Sequence, residues 1–397
     1  MNPEIANFLF MASSLLSAII LGIILIPNIL IISYKKKLFD EPDARKVHKH
    51  PIPRLGGLSF FPAILIALFL NIGLRYALGH PLEGEDIEQI WNEFLFLFSG
   101  LTMLYLVGEA DDLIGVGYKY KFLIQTIAAS LLVISGNWLN SLGGFFGIYE
   151  IPLWAGVPVT IFIVVFITNA INLIDGIDGL ASGLCCIALI ILAGMLVLGQ
   201  EFIYATVALV TLGIVMVFWF YNVFGNERKG HKLFMGDTGS LTLGYILSYI
   251  VIHLSLNTSE HPGEAKNMII AFSTLLVPML DVIRVSLHRI RKGRSPFLPD
   301  KNHFHHKLIR AGMKIKFVLI TIIITDLFFI AMNSLLADRI NLTVILIIDV
   351  ILWTGLQLII NHFIKKQGGG PSYIPLEELA KSEPELAKEI AKKKNKE

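Results

Sequence analysis

Charged residues are scarce in this chain of 397 residues: Asp, Glu, Lys and Arg make up 16% of it, against about 25% in an average soluble protein. The two signs nearly cancel, leaving a formal net charge of +2. No global electrostatic field therefore draws the chain to nucleic acid, and we expect no nucleic-acid partner. The information lies in where the charges fall along the chain.

Cysteine is almost absent. The only two, Cys185 and Cys186, are adjacent inside an apolar run. Neighbouring side chains on a helix point about 100° apart, so a disulfide between them is not expected. The pair therefore identifies no redox compartment.

Apolar sequence is what the chain has in abundance, with 54% hydrophobic residues and a mean hydropathy of +0.67. Apolar runs long enough to cross a bilayer as helices recur along it. This pattern predicts an all-α polytopic integral membrane protein with about eleven transmembrane helices. The predicted spans are approximately 6–33, 57–78, 91–107, 122–135, 157–174, 180–198, 202–223, 241–256, 268–285, 317–336 and 342–363.

The segments between the spans predict the orientation. Lys35, Lys36 and Lys37 follow the first span, which places them in the cytoplasm and the N-terminus outside, and basic loops then recur on the same side. Lys365 and Lys366 keep the C-terminus cytoplasmic. We therefore expect a membrane domain at 1–364 and a charged cytoplasmic tail at 365–397. The Gly- and aromatic-rich stretch 137–156 predicts an external hairpin or a re-entrant segment.

One polar stretch directly follows an apolar run. It contains four polar residues at three-residue steps: Asn169, Asn172, Asp175 and Asp178. On a helix this spacing places successive side chains on roughly the same side. Ionisable groups at membrane depth usually face a bundle interior or a wet cavity and mark a functional site. The spacing predicts a groove for a cation or a nucleotide.

Two further carboxylate motifs lie at predicted cytoplasmic span ends. The adjacent Asp111 and Asp112 suit either Mg²⁺ binding or a base with a structural partner, although an acidic helix terminus explains the pair equally well. Lys121 lies where a span begins, a position from which it can pair with a lipid phosphate. Asp237, between Gly236 and Gly239, precedes a helix start that favours phosphate.

Asp237 and Asn172 together offer the hard oxygen ligands that Mg²⁺ requires. The segment with His303, His305 and His306 lies among cations, and binding of an anionic sugar phosphate fits it better than a zinc site, because it lacks Cys and further carboxylates. All these motifs fall on the predicted cytoplasmic side, as does the basic loop 43–57. We therefore expect them to build one site.

In this order and spacing the motifs resemble those of the polyprenyl-phosphate N-acetylhexosamine-1-phosphate transferases, a family of glycosyltransferase 4 type. The resemblance covers about 38–312 and leaves out the C-terminal tail. The run from Pro299 to His306 and the loop from Arg45 to Gly57 are similar to those of bacterial enzymes that use UDP-N-acetylglucosamine. The related phospho-N-acetylmuramoyl-pentapeptide transferases more typically carry Pro-x-His-His-His, which this chain lacks.

The resemblance implies transfer of N-acetylhexosamine 1-phosphate from a UDP-sugar to undecaprenyl phosphate in the bacterial cytoplasmic (inner) membrane, with release of UMP. It implies Mg²⁺ as the cofactor, with Mn²⁺ as the alternative, and a second copy of the chain as a partner in a homodimer. The implied roles are as follows. Asp237 and Asn172 are metal ligands; Asp175, Asp178 and Asn169 lie at the nucleotide; Lys121 contacts the lipid phosphate; His303, His305 and His306 bind the sugar phosphate; Asp111 and Asp112 deprotonate or position the lipid phosphate.

Two other functions remain open at this point. One is the phospho-N-acetylmuramoyl-pentapeptide transferase reaction. The other is ion-coupled transport, which predicts polar groups near mid-span and usually an inverted repeat. No internal repeat is visible in the sequence.

Overall fold

The computed structural model describes residues 3–40, 52–80, 87–226, 230–256, 265–295 and 302–367. Within these ranges the fold is helical, with two small antiparallel sheets. The helices are α1 (Pro3–Lys36), α2 (Phe60–Ala77), α3 (Ile87–Ile114), α4 (Tyr118–Ile134), α5 (Leu153–Ile174), α6 (Leu180–Leu198), α7 (Phe202–Phe224), α8 (Gly236–His253), α9 (Ala265–Ser273), α10 (Leu276–Arg291), α11 (Phe304–Arg310), α12 (Ile315–Leu336) and α13 (Leu342–Lys366). The strands are β1 (Phe39–Asp40), β2 (Ile52–Pro53), β3 (Ser141–Phe145) and β4 (Ile148–Glu150), and a 3-10 helix covers Gly56–Ser59.

The chain is an all-α polytopic membrane protein. Among the described residues eight helices are long and apolar enough to cross a bilayer, and the bent pair α9–α10 would make a ninth. Each predicted span coincides with a helix or with that pair, but α4 has only 17 residues. The number eleven and the orientation of the termini stay predictions. Most of the predicted cytoplasmic tail, 368–397, lies outside the described residues.

Helix α8 lies at the centre of the bundle, and every residue from Gly236 to Ile252 is buried. Its main neighbours are α3 and α5. Glycines allow the close approach: a Cβ on Gly244 would lie 2.6 Å from Thr168 Cα, and one on Gly108 would lie 2.5 Å from Thr238 Cα. The backbones of three helices therefore meet without side chains between them, which fixes the position of the N-terminal end of α8.

Residues 141–150, within the predicted stretch 137–156, form a hairpin, one of the two predicted alternatives. Strands β3 and β4 pair antiparallel, with Phe145 opposite Ile148. The two residues between them, Phe146 and Gly147, have φ of 51° and 77°. Positive φ at both central residues matches a type I′ turn, whose twist suits a tight hairpin.

The predicted ninth span, 268–285, is not one continuous helix. It is broken into α9 and α10, which are bent by 70°. Pro278, in the first turn of α10, contributes to the break because it has no backbone N–H to donate to the carbonyl of Thr274. The polypeptide therefore changes direction at Thr274 and Leu275, inside the predicted membrane segment.

Candidate functional site

Asp237 lies in the first turn of α8, and its carboxylate is held between two cations. Arg54 donates from Nη2 to Oδ1 at 2.7 Å, and Lys121 donates from Nζ to Oδ2 at 2.8 Å. The Asp237 side chain is 8% exposed. A buried carboxylate needs such compensation, because an unpaired charge there would be costly.

Lys121 also connects Asp237 to the first carboxylate motif. Its Nζ lies 3.2 Å from Asp111 Oδ2. The other oxygen of Asp111 accepts the Val116 backbone N–H at 2.7 Å. Asp111 and Asp237 therefore share one ammonium group, and Asp111 limits where the lysine side chain can go.

Asp112 is bound differently from its neighbour. Its Oδ1 accepts the backbone N–H of Asp237 at 2.8 Å, and its Oδ2 accepts the N–H and the hydroxyl of Thr238 at 2.9 Å and 2.7 Å. The Nε of Arg54 lies 3.4 Å from Oδ1, and the Asp112 side chain is 0% exposed. Asp112 therefore caps α8 from another helix, a role normally filled by the residue just before a helix.

Gly236 makes this cap possible. Its φ is +74°, a conformation that favours glycine. A Cβ at this position would lie 2.4 Å from Asp112 Oδ2 and 2.3 Å from the Arg54 carbonyl oxygen. The glycine is thus required by both the backbone conformation and the space.

Arg54 is positioned by backbone hydrogen bonds around it. Phe234 donates to the Pro53 carbonyl at 2.8 Å, and Gly56 and Gly57 donate to the Phe234 and Met235 carbonyls at 2.9 Å and 2.8 Å. Residues 53–57 therefore lie directly against the start of α8. We call the assembled group the ionic centre; its members are Arg54, Asp111, Asp112, Lys121 and Asp237.

The asparagines at the end of α5 approach the site from another side. Asn172 donates from Nδ2 to Ser240 Oγ at 2.8 Å, one turn along α8 from Asp237. No described residue donates a hydrogen bond to its Oδ1, which can therefore accept from, or coordinate, another group. Asn169 instead donates to Gln125 Oε1 at 2.5 Å and so faces α4.

Asp175 follows the last residue of α5. Burial raises the pKa of Asp175 to about 7, and Arg54 opposes the rise. The carboxylates of Asp178 and Asp237 add to it by repulsion. Asp175 is therefore close enough to interact electrostatically with the ionic centre.

Asp178 forms an ion pair with Lys232, with Nζ 2.6 Å from Oδ2. The backbone next to it is fixed by Asn222, which accepts the Gly179 N–H at 2.5 Å and donates to the Leu233 carbonyl at 2.8 Å. The segment 176–179 is thereby tied to the residues that precede α8.

The histidine motif packs against this same segment. A Cβ on Gly176 would lie 2.2 Å from His305 Nε2, so the ring lies directly on the glycine. His305 is 1% exposed, and neither ring nitrogen has a hydrogen-bond partner among the described residues. Burial lowers the pKa of His305 well below its usual value, which keeps the ring neutral.

The other two histidines have different surroundings. His303 Nδ1 lies 2.9 Å from Asp281 Oδ2 on α10, and Arg284 binds the other oxygen of Asp281 at 2.7 Å. The His306 ring lies 4.1 Å from that of His305, centroid to centroid. His303 therefore anchors the segment, while His305 lies beside Gly176 and His306 packs against His305.

Most of the predicted site residues are thus brought to one end of the bundle: Asp111, Asp112, Lys121, Asp237, Asn172, Asp175 and His305. Three others contact side chains outside the ionic centre: Asn169 contacts Gln125, Asp178 contacts Lys232, and His303 contacts Asp281. Residues 43–51 and 296–301, which belong to two of the predicted motifs, lie outside the described residues. The chemical roles assigned from the sequence stay predictions.

Sequence reasoning did not single out Arg54, Ser240, Asn222 or Asp281 as site residues. Arg54 could have been noticed, because it is a cation that directly follows Pro53 in a predicted motif. Asp281 could also have been noticed, because it is a carboxylate within a predicted span, which is the kind of signal that identified Asp175. Asn222 carries no local signal, because its importance arises only from the fold.

The donor set fits Mg²⁺ chemically but is incomplete by itself. Asp237 and Asn172 offer oxygen atoms only, with no sulfur or nitrogen ligand beside them. Within the described ranges no three His, Cys, Asp or Glu side chains are arranged to hold a metal ion. Substrate phosphate and water would have to supply the remaining ligands, as is usual for Mg²⁺.

Residues 94–255 match the family model described as glycosyl transferase family 4. The chain is 30% identical over 295 residues to the undecaprenyl-phosphate alpha-N-acetylglucosaminyl 1-phosphate transferase of Yersinia pestis, covering 73% of this chain and 75% of that protein. It is 29% identical over 295 residues to the Escherichia coli K12 protein of the same name, with the same coverage. It is 32% identical over 292 residues to a Bacillus subtilis protein named probable undecaprenyl-phosphate N-acetylglucosaminyl 1-phosphate transferase, again covering 73% and 75%.

Proposed function

The chain belongs to glycosyl transferase family 4, and from this we propose that it transfers N-acetylglucosamine 1-phosphate from UDP-N-acetylglucosamine to undecaprenyl phosphate. The products are UMP and a lipid-linked sugar, the first of a cell-envelope polysaccharide. The single observation that carries the proposal is the ionic centre, where two cations meet at the N-terminal end of α8. Cations that can form charge-assisted hydrogen bonds are what two reacting phosphates require.

The location follows from the same proposal. Undecaprenyl phosphate has its phosphate at the membrane surface, and the basic loops of the chain mark the cytoplasmic side. We therefore assign the enzyme to the bacterial cytoplasmic (inner) membrane with its site on the cytoplasmic face. The lipid would enter sideways from the bilayer, and the UDP-sugar from the cytoplasm.

The cofactor we assign is Mg²⁺, for which Mn²⁺ would substitute. Asp237 and Asn172 would hold it, with the remaining ligands coming from the diphosphate and water. When bound, the metal ion would offset the charge of the diphosphate and stabilise charge on the leaving group.

In the reaction, an oxygen of the lipid phosphate forms a bond to the β-phosphorus of the UDP-sugar. The bond from that phosphorus to the bridging oxygen breaks, and UMP leaves with the electron pair. A phosphate monoester has a second pKa near 6 and is mostly dianionic at neutral pH, so no strong base is needed. Lys121 would orient the nucleophile, and Asp111 would hold Lys121 in place.

Asp112 fits a positioning role better than that of a base. All its contacts go to the start of α8 and to Arg54. It would fix the Asp237 backbone, and therefore the point at which the phosphates meet. Arg54, which is 39% exposed, is the cation that can reach an incoming diphosphate.

Recognition of the donor would involve the segment next to Gly176. Asp175, Asp178 and Asn169 are assigned to the nucleotide, and His303, His305 and His306 to the sugar phosphate. Neutral His305 can donate from one ring nitrogen and accept at the other. His303 would act through its anchor at Asp281.

The test is release of UMP by the purified chain in detergent, with undecaprenyl phosphate and Mg²⁺. UDP-N-acetylglucosamine should be the best donor, compared with UDP-N-acetylgalactosamine and UDP-N-acetylmuramoyl-pentapeptide. A preference for the pentapeptide would instead identify a phospho-N-acetylmuramoyl-pentapeptide transferase. No release with any donor would contradict the transferase proposal and favour ion-coupled transport. A cross-linking and mass measurement in the same detergent tests for a homodimer.

A further inference from the structure

A second group of buried polar side chains lies where α9 and α10 meet α12 and α13. Asn333 on α12 and Asp349 on α13 are both 0% exposed. Asn333 donates from Nδ2 to Ser273 Oγ at 2.8 Å and to Asp349 Oδ2 at 3.0 Å. We call Ser273, Asn333 and Asp349 the oxygen cluster. None of these residues belongs to the site described above.

Two oxygen atoms of the cluster are left over. Asn333 Oδ1 and Asp349 Oδ1 are buried and accept no hydrogen bond from any described residue. They belong to two side chains that are joined by the hydrogen bond from Asn333 Nδ2 to Asp349 Oδ2, so each free oxygen lies on the same planar group as one partner of that bond. An unsatisfied buried acceptor destabilises the fold, and a charged one does so more strongly.

The break between α9 and α10 adds a backbone oxygen near this place. Pro278 has no N–H to donate to the Thr274 carbonyl, and Thr274 directly follows Ser273. Ser273 ends α9 and is itself bonded to Asn333. Irregular backbone at membrane depth is tolerated where it lines a cavity or contacts an ion.

We propose that the oxygen cluster binds one monovalent alkali cation at the break between α9 and α10. Its donors are oxygens only, which suits an alkali ion and not a transition metal. The cluster carries a single carboxylate, so one positive charge neutralises it, whereas a divalent ion would leave an excess charge inside the bilayer. The two free oxygens, one from an amide and one from the carboxylate, face the ion.

The cation has a structural consequence that reaches the active site. It joins the end of α9 to α12 and α13, and so fixes the direction in which α10 continues. Helix α10 carries Asp281, which anchors His303. The proposal does not depend on the transferase assignment, since it concerns the stability of the bend.

A chemically distinct arrangement would satisfy the same two oxygens. If Asp349 is protonated at Oδ1, its hydroxyl donates to Asn333 Oδ1, and the carboxylic acid and the amide form a cyclic pair. That arrangement needs no cation. The two differ in whether the stability of the fold responds to alkali ions at constant ionic strength.

The experiment is thermal unfolding of the purified full chain in detergent, in NaCl, KCl or choline chloride at matched concentration. Na⁺ or K⁺ should raise the melting temperature by about 3 °C or more over choline, with saturation, because the ion binds only the folded state. Asp349→Asn should abolish the difference. Asp326→Asn, which removes another buried carboxylate on α12 outside the cluster, should keep it.

Equal melting temperatures in all three salts would overturn the proposal and favour the acid–amide pair. A difference that survives in Asp349→Asn would also overturn it. Should Asp349→Asn fail to fold, Ser273→Ala and binding of radioactive Na⁺ to the unaltered chain replace it. Saturable binding of one ion per chain, weakened by Ser273→Ala, supports the site, and no saturable binding rejects it.

Discussion

The ionic centre and the oxygen cluster bury carboxylates in opposite ways. In the ionic centre each of three carboxylates contacts Arg54 or Lys121. In the outer helices Asp326 and Asp349 contact no cationic side chain within the described part of the chain. The first arrangement is poised for anionic substrates, because its cations are exchangeable partners of a phosphate. The second can be neutral only through a proton or an external ion.

The two regions also differ in how the chain builds them. The ionic centre brings together a loop, α3, α4 and α8, and its position is fixed by glycine contacts and by the Asp112 cap. The oxygen cluster is built where the bent pair α9–α10 meets α12 and α13. The compensated carboxylates therefore lie where a loop and three helices converge, whereas the uncompensated Asp349 contacts the end of a bent helix pair through Asn333.

Removing the central carboxylate should have the largest effect. Asp237→Ala takes away the common partner of Arg54 and Lys121 and a proposed metal ligand, so UMP release should fall at least about 1,000-fold. The protein should remain folded, because both released cations can reach solvent. Activity within tenfold of the unaltered chain at ordinary Mg²⁺ would mean that Asp237 is not at the reaction centre.

The adjacent carboxylates should separate into two classes. Asp112→Asn brings an amide nitrogen against backbone N–H donors, and we expect a loss of about 1–3 kcal/mol in stability together with about 100-fold in activity. Asp111→Asn should lower activity with little change in melting temperature. The Asp111 side chain accepts only one backbone hydrogen bond, from Val116, and the Asn oxygen can still accept it. Thermal unfolding and UMP release measured on both variants test this. Equal destabilisation by the two substitutions would contradict the cap.

Much of the helical architecture could be predicted from the sequence, since each predicted span has its helix. Apolar length is a local property, readable from composition. The convergence of Asp111, Asn172, Asp237 and His305 was also predictable, because the positive-inside rule placed their motifs on one side. The contribution of Arg54 could not be predicted. Its position depends on hydrogen bonds between residues 53–57 and Phe234 and Met235, which no local sequence pattern encodes.

The oxygen cluster was not predicted at all. Asn333 and Asp349 stand singly within long apolar runs, without the repeated spacing that made Asn172 and Asp175 noticeable. Their relation appears only when α12 and α13 pack together. The break next to Pro278 was not predictable from the proline alone, because Pro27 and Pro158 also lie in apolar runs and the helices α1 and α5 continue through them.

Substitution of Lys121 tests whether a cation of the ionic centre binds the lipid phosphate. Lys121→Ala should raise the apparent KM for undecaprenyl phosphate by about tenfold, because one charge-assisted contact to the lipid phosphate is lost. The KM for the UDP-sugar should change little. Steady-state kinetics with each substrate varied separately decide the matter, and an equal rise for both would assign Lys121 to the donor.

Substitution of Arg54 tests whether Arg54 and a metal ion compete for the Asp237 carboxylate. A metal ion that binds Asp237 must displace Arg54 from Oδ1, so Arg54→Gln should raise the affinity for Mn²⁺ without substrate by about fivefold. Arg54→Lys, which keeps the charge, is the matched control and should bind Mn²⁺ like the unaltered chain. Mn²⁺ binding followed by electron paramagnetic resonance measures this directly. Weaker Mn²⁺ binding by the Gln variant would show that Arg54 organises the metal ligands instead of competing with the metal.

The smallest effect is expected at Asp326, which tests whether the missing compensation in α12 is real. Both its carboxylate oxygens are buried and unpartnered within the described residues. Replacing such a group with an apolar side chain of similar size is often neutral or stabilising. Asp326→Leu should therefore leave UMP release within about twofold and raise the melting temperature by about 2 °C. A fall in melting temperature would mean that Asp326 holds an ion or a water of its own, and the contrast between the compensated and uncompensated regions would then disappear.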